Sequence, residues 1–181
     1  MTTLQLTKQP FSLKAFELIK FASSICLIAI SAQLSIYLPN NPVPVIWYMN
    51  VLFLYAAIKG AKQGALFTMS YLGLAAVGFP LLANGACGPL HFLGPTTGYL
   101  IGMIPASFVT GYLMEKGFSK SALYSFFAFV VGNSFVYFTG VPHLAQFVGM
   151  KQALYLGIVP FIPGFIFKNL VCTYFYQRLH R

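Results

Sequence analysis

Two long stretches of this chain, residues 21–58 and 63–114, contain no Lys, Arg, Asp or Glu. A helix crossing a bilayer takes roughly 20 apolar residues, so each stretch must hold more than one crossing, joined by an uncharged loop. Turn-forming and charged residues divide the chain into six apolar segments: 15–38, 45–59, 64–82, 96–114, 121–139 and 153–176. Asn40-Asn41-Pro42 with Pro44 separates the first two segments, Lys59-Gly60 the next pair, and the Gly/Pro-rich stretch 83–95 the third from the fourth. Glu115-Lys116-Gly117 and Gly140-Val141-Pro142 supply the remaining breaks. The second segment is short for a crossing unless Lys59 reaches back to the headgroups along its methylene stem. The pattern predicts an all-α, polytopic membrane protein of six transmembrane helices, organised as one domain over residues 1–181. It shows no repeat of useful period and no low-complexity tract.

Composition supports the same solvent. Hydrophobic residues make up 58% of the 181 and charged residues only 7%, a balance that cannot clothe a water-soluble surface. The formal net charge of +9 does not indicate nucleic acid, because the basic residues are dispersed singly between apolar stretches instead of sharing one face. Their placement sets orientation, since Lys and Arg accumulate in short cytoplasmic loops. Lys8, Lys14 and Lys20 precede or enter the first segment; Lys59 and Lys62 lie between the second and third; Lys116 and Lys120 lie between the fourth and fifth; Arg178 and Arg181 close the chain. All fall on one side. The opposite loops, 39–44 and 83–95, are uncharged, and 140–152 carries only Lys151. Both termini are therefore expected in the cytoplasm, with the Pro-, Gly- and Asn-rich loops facing outward as a surface suited to receiving a ligand. No short apolar stretch with a small-residue cleavage site begins the chain, so no removable signal is expected.

Of the residues able to carry chemistry, Lys168 stands out, because an ionisable side chain within a membrane segment is a functional candidate by default. It lies ten residues before Arg178, or roughly 15 Å along a helix from that boundary. Glu17 and Glu115 are the only acids, and both sit near cytoplasmic ends. A bound anion could neutralise Lys168; the alternative is an interhelical crevice offering water or backbone carbonyls. Pro160, Pro163 and Gly164 interrupt the sixth segment just before it, and broken membrane helices commonly line cavities. In the loop 83–95 and the residues that follow, glycines would let backbone approach a ligand closely. Asn84 offers an acceptor and two donors suited to an amide- or urea-like group, and Phe92 and Tyr99 could wall an apolar ring.

Other readings are weaker. His91 has no second metal ligand at helical spacing, and Cys26, Cys87 and Cys172 lack C-x-x-C spacing and read as packing residues. Ser134 with His143 or His180 does not define a nucleophile and its base, and two acids leave little for acid–base catalysis. No phosphate-binding loop is present. No cofactor is expected.

The chain resembles the BioY family, the biotin-binding S components of energy-coupling factor transporters. The resemblance spans nearly the whole chain. It rests on Pro42-Val43-Pro44-Val45, on Gly78-Phe79-Pro80, on Leu93-Gly94-Pro95-Thr96-Thr97-Gly98-Tyr99-Leu100, and on Pro160-Phe161-Ile162-Pro163-Gly164 followed by Lys168. It implies a multi-pass protein of the cell membrane that holds biotin near the extracellular face, performs no chemistry of its own, and associates with a transmembrane coupling subunit and ATPase subunits. The ligand-binding residues it implies, together with those read above, are Asn84, Lys168, Tyr99, Gly94, Thr96, Gly98, Phe92 and Tyr48. Small residues of the first helix, Ala22, Cys26, Ala29 and Ala32, are candidates for the coupling-subunit interface, as close helix approach requires; ordinary packing within the chain explains them equally well. Four positions depart from the family pattern. Phe165 stands where an Asp is usual, Ala86 where an Arg is common, and Ile46 and Tyr48 where Thr and Gln often occur. Three rival readings stand beside it: an S component for another small vitamin, an intramembrane enzyme, and a passive channel or structural subunit.

Overall fold

The computed structural model describes residues 11–35 and 42–180, with side chains from residue 19 onward. Among the described residues there are seven α-helices and no strand: α1 (Phe11–Gln33), α2 (Tyr48–Lys59), α3 (Ala61–Val77), α4 (Thr97–Glu115), α5 (Ala122–Val148), α6 (Met150–Gly157) and α7 (Ile162–Leu179). Short 3-10 turns at Ala83–Gly85 and Pro89–Leu93 lie between α3 and α4, and one at Val159–Phe161 joins α6 to α7. Helix α4 is central, packing on α2 and α3 and most extensively on α5, while α7 closes against α2 and α5.

Small residues set these contacts. Gly140 of α5 lies so close to the Tyr99 ring of α4 that a methyl group there would overlap it. Gly102 of α4 stands in the same relation to Val136 and Thr139 of α5. Membrane helices gain little from expelling lipid from between them, so they rely on such close approach and on interhelical hydrogen bonds. One bond joins Thr68 of α3 to Ser107 of α4 at 2.7 Å, fully buried, and another runs from Thr139 Oγ1 to Gly98 O at 2.9 Å. Glu115 at the end of α4 accepts from Ala61 N at 3.0 Å. That places a carboxylate on the otherwise uncapped amide end of α3, where the helix dipole favours it.

Three helical stretches are long and apolar enough to cross a membrane: Thr97–Glu115, Ala122–Val148, and Met150–Leu179 taken across its turn. The part of α1 with described side chains, Ile19–Gln33, and α2 are apolar but shorter. Large apolar side chains face outward along α5 and α7, among them Phe127, Phe135, Phe138, Ile166, Phe167, Leu170 and Phe175. Water would penalise such a surface, whereas lipid tails would not; this is a membrane protein.

The helix limits differ from the sequence expectation in two places. The break expected at Gly140-Val141-Pro142 does not occur: α5 runs on through Pro142 to Val148. Gly140 is used for packing against Tyr99, and Pro142 forgoes one backbone bond without ending the helix. The chain turns instead at Gly149, whose φ of 81° suits glycine. The sixth segment is accordingly two helices. Pro163 sits in the first turn of α7, where its missing N–H has no intrahelical partner to lose.

Candidate functional site

The segment leading into α2, the connection between α3 and α4, and the start of α4 enclose a cavity of about 240 Å³. Pro42 and Pro44 keep the first wall out of a helix, because proline fixes its own φ and lacks the N–H a helix would use. Tyr48, Leu82, Thr96, Tyr99 and Met103 contribute further wall. The lining is mostly apolar with a few polar groups, the composition of a small-molecule site.

A recess of about 40 Å³ adjoins the cavity, sharing Val43, Pro44, Ile46, Tyr99 and Met103 with it and adding Tyr137, Phe161 and Lys168. Lys168 is only 6% exposed. Its Nζ donates to Ile46 O at 2.6 Å and stands 5.4 Å from the centre of the Trp47 ring. A carbonyl dipole and an aromatic face thus stabilise a cation removed from water. Glu115, the only acidic side chain described, is engaged at the far end of α4. The ammonium keeps further N–H groups for another acceptor.

The structure brings together part of the residue set expected from sequence. Tyr48, Gly94, Thr96 and Tyr99 all line the cavity. The Tyr48 ring lies against Tyr71 at 5.9 Å between centroids, and Tyr71 donates to Leu81 O, which ties the cavity wall to α3. Gly94 O accepts from Thr97 Oγ1 at 2.8 Å and lies 3.2 Å from His143 Nε2. Gly98 is buried against α5, where a Cβ would strike His143 and the Thr139 carbonyl. Its place is at the helix interface and not on the cavity wall. Phe92 is half-buried and packs on the core from the 89–93 turn. Asn84 is exposed and left-handed, with φ 55° and ψ 30°, a conformation that asparagine tolerates; its neighbours Leu82 and Ala83 line the cavity. Ser134 and His143 are not paired: Ser134 donates to Val130 O at 2.8 Å. On α1, Ala22 and Cys26 are exposed, Ala29 is half-buried and Ala32 is buried in the core.

Several site residues were not singled out from sequence. His91 lines the cavity, and Trp47 faces Lys168. Asn50 and Asn133 lie buried beside the recess, and Asn169 is buried behind Asn133 and bonded to it. A carboxamide inside an apolar segment is the signal that could have revealed them, because a polar group placed there demands a partner.

The model of the BioY family matches residues 4–181. The chain belongs to the BioY family. Among relatives, it is 35% identical over 166 residues to a biotin transporter BioY of Thermotoga maritima, covering 91% of this chain and 96% of that one. It is 32% identical over 167 residues to a probable biotin transporter BioY of Pyrococcus horikoshii, covering 92% and 98%. In three dimensions it is similar to the crystal structure of the S-component for biotin from an ECF-type ABC transporter, with a TM-score of 0.83, 26% identity, and coverage of 95% of this chain and 94% of the other. The helical fold is thus shared across nearly the full length of both chains.

Proposed function

We propose that this BioY-family protein captures biotin from outside the cell and delivers it as the substrate-specific subunit of an energy-coupling factor transporter. One observation carries the reading: in a chain of this family, an apolar cavity of about 240 Å³ adjoins a recess holding a buried lysine with unused hydrogen-bond donors. Biotin carries a polar ureido edge on its bicycle and a carboxylate at the end of its chain, with an apolar thioether ring and methylenes between, and a site with this division of character suits it. Tyr48, Gly94, Thr96 and Tyr99 wall the bicycle and Lys168 contacts a polar end. Asn84, Phe92 and Gly98 act from the rim and from the α4–α5 packing.

The chain crosses the cell membrane six times as one domain with both termini cytoplasmic, which sets the cavity toward the outside. The distribution of Lys and Arg supports that orientation. The protein does no chemistry on the ligand. A transmembrane coupling subunit and ATPase subunits supply the energy, and the outward-facing small residues Ala22 and Cys26 of α1 belong to the surface offered to that module. The test is equilibrium binding of labelled biotin to the purified protein, with unlabelled biotin and a panel of other small vitamins as competitors. Displacement by biotin alone is expected. Displacement by another vitamin in preference to biotin would move the substrate, and recovery of a chemically altered ligand would favour an intramembrane enzyme.

A further inference from the structure

Three carboxamides sit together beneath the Lys168 recess. Asn50 of α2, Asn133 of α5 and Asn169 of α7 are 2%, 1% and 0% exposed. Asn133 Nδ2 donates to Asn169 Oδ1 at 2.6 Å, and pairing among them ends there. Asn133 Oδ1, Asn169 Nδ2 and both polar atoms of the Asn50 side chain have no hydrogen-bond partner in the protein. Exchanging oxygen and nitrogen in the bonded pair reverses the donor but still leaves one of each idle. Nearly all buried polar groups in proteins are bonded, so four idle ones at a single place call for an explanation.

Their position supplies it. Asn50 and Asn133 line a cleft of about 10 Å³ with Tyr137, Phe165 and Lys168. A space of that size holds about one probe sphere, enough for the edge of a ligand group but not its body. The cleft shares Tyr137, Phe161 and Lys168 with the larger recess, which in turn adjoins the main cavity. Asn50 and Asn133 therefore face the inner end of the ligand site, and Asn169 backs Asn133.

Their chemistry selects the group they face. The floor offers donors, Lys168 Nζ and Asn50 Nδ2, and also acceptors, Asn50 Oδ1 and Asn133 Oδ1. A carboxylate only accepts, so it would leave the Asn50 oxygen buried without a donor whichever way the Asn133–Asn169 pair is arranged. A ureido edge both accepts, through its carbonyl, and donates, through its N–H groups. We propose that Asn50 and Asn133 are specificity-determining contacts that read the ureido edge of the ligand at the inner end of the site. Lys168 donates to the ureido carbonyl, and the carboxylate tail points to the outer cavity, where His91 lies on the wall. This rests on the assignment of biotin as ligand and adds which end of it enters first.

The experiment compares biotin with biotin methyl ester, whose acid is capped and whose ureido group is intact, on the purified full-length protein. The ester is read by displacement of labelled biotin. Asn50→Leu is expected to weaken both ligands by the same factor, about tenfold, as befits lost hydrogen bonds to a buried group. It should also leave the unliganded protein no less stable, since it replaces an unpartnered buried amide with an apolar side chain of similar size. A residue that merely supports the fold would lower stability along with affinity. Asn50→Asp places a carboxylate in the cleft and should preserve the wild-type ratio of the two affinities. The proposal is overturned if Asn50→Leu binds biotin as the wild type does, or if Asn50→Asp repels biotin while sparing the ester, which would put the acid at this end. Wild-type protein that binds neither ligand would instead remove the biotin assignment itself.

Discussion

Replacing Lys168 with methionine keeps most of the side chain's length and apolar stem while deleting the one cation in the recess. In the unliganded protein the loss is a single hydrogen bond, Nζ to Ile46 O at 2.6 Å, together with the cation–aromatic contact to Trp47 at 5.4 Å. Against that loss stands the burial of a charge that is 6% exposed and has no acidic partner among the described side chains. Holding an ammonium away from water costs several kcal/mol before compensation, so Lys168→Met should leave the unfolding midpoint unchanged or raised. Ligand binding should respond in the opposite sense. A charged donor lost to a ligand acceptor removes about 1.5–3 kcal/mol, which is about 10- to 150-fold in Kd. Equilibrium titration with labelled biotin, beside thermal unfolding of the same sample in detergent, reads both quantities. A Kd within about threefold of wild type would refute the reasoning. So would lowered stability with unchanged affinity, which would make Lys168 a purely structural residue.

Gly140→Ala drives a methyl group into the Tyr99 ring; overpacking of about 1–3 kcal/mol should lower the unfolding midpoint by about 2–12 °C and weaken biotin through the displaced cavity wall. Phe165→Asp puts a carboxylate one helical turn before Lys168, beside the cleft that Phe165 lines. It should pair with the lysine and accept from a ureido N–H, tightening biotin by about 3- to 10-fold; an unchanged titration would show that position 165 has no part in the site. Cys87 is exposed in the connection between α3 and α4, Cys26 is exposed within the apolar helix α1, and Cys172 is buried, so a membrane-impermeant maleimide should modify intact cells at Cys87 and fail on Cys87→Ser, with Cys26 kept from the reagent by lipid. Modification that required permeabilised cells would invert the proposed orientation.

Sequence pattern located helices well where a single physical rule governs them. The segment 96–114 became Thr97–Glu115, because a charge-free apolar run ending at Glu115-Lys116-Gly117 has one good solution. Pro142 misled: α5, packed on α4 and α6, passes through it at the loss of one backbone bond, and the chain turned at Gly149 instead. Lys168 was legible because charge inside an apolar run is conspicuous at any depth. What surrounds it was not. Asn50 and Lys168 are 118 positions apart yet line one cleft, and only the packing of α2 against α7 unites them. A lone cation read along a sequence suggests an anionic partner; the same cation beside amide oxygens suits a group that donates as well. Asn84 shows the converse limit. Its amide chemistry was plain, but whether the side chain faces a cavity or solvent depends on a left-handed turn that sequence does not fix.

The most direct measurement is an experimental structure of the protein with biotin bound. The account predicts the bicycle between residues 42–48 and the start of α4, against Tyr99 and Met103, with a ligand polar atom within hydrogen-bonding distance of Lys168 Nζ. Biotin found elsewhere on the protein, with the Lys168 ammonium still bonded to Ile46 O alone, would contradict it.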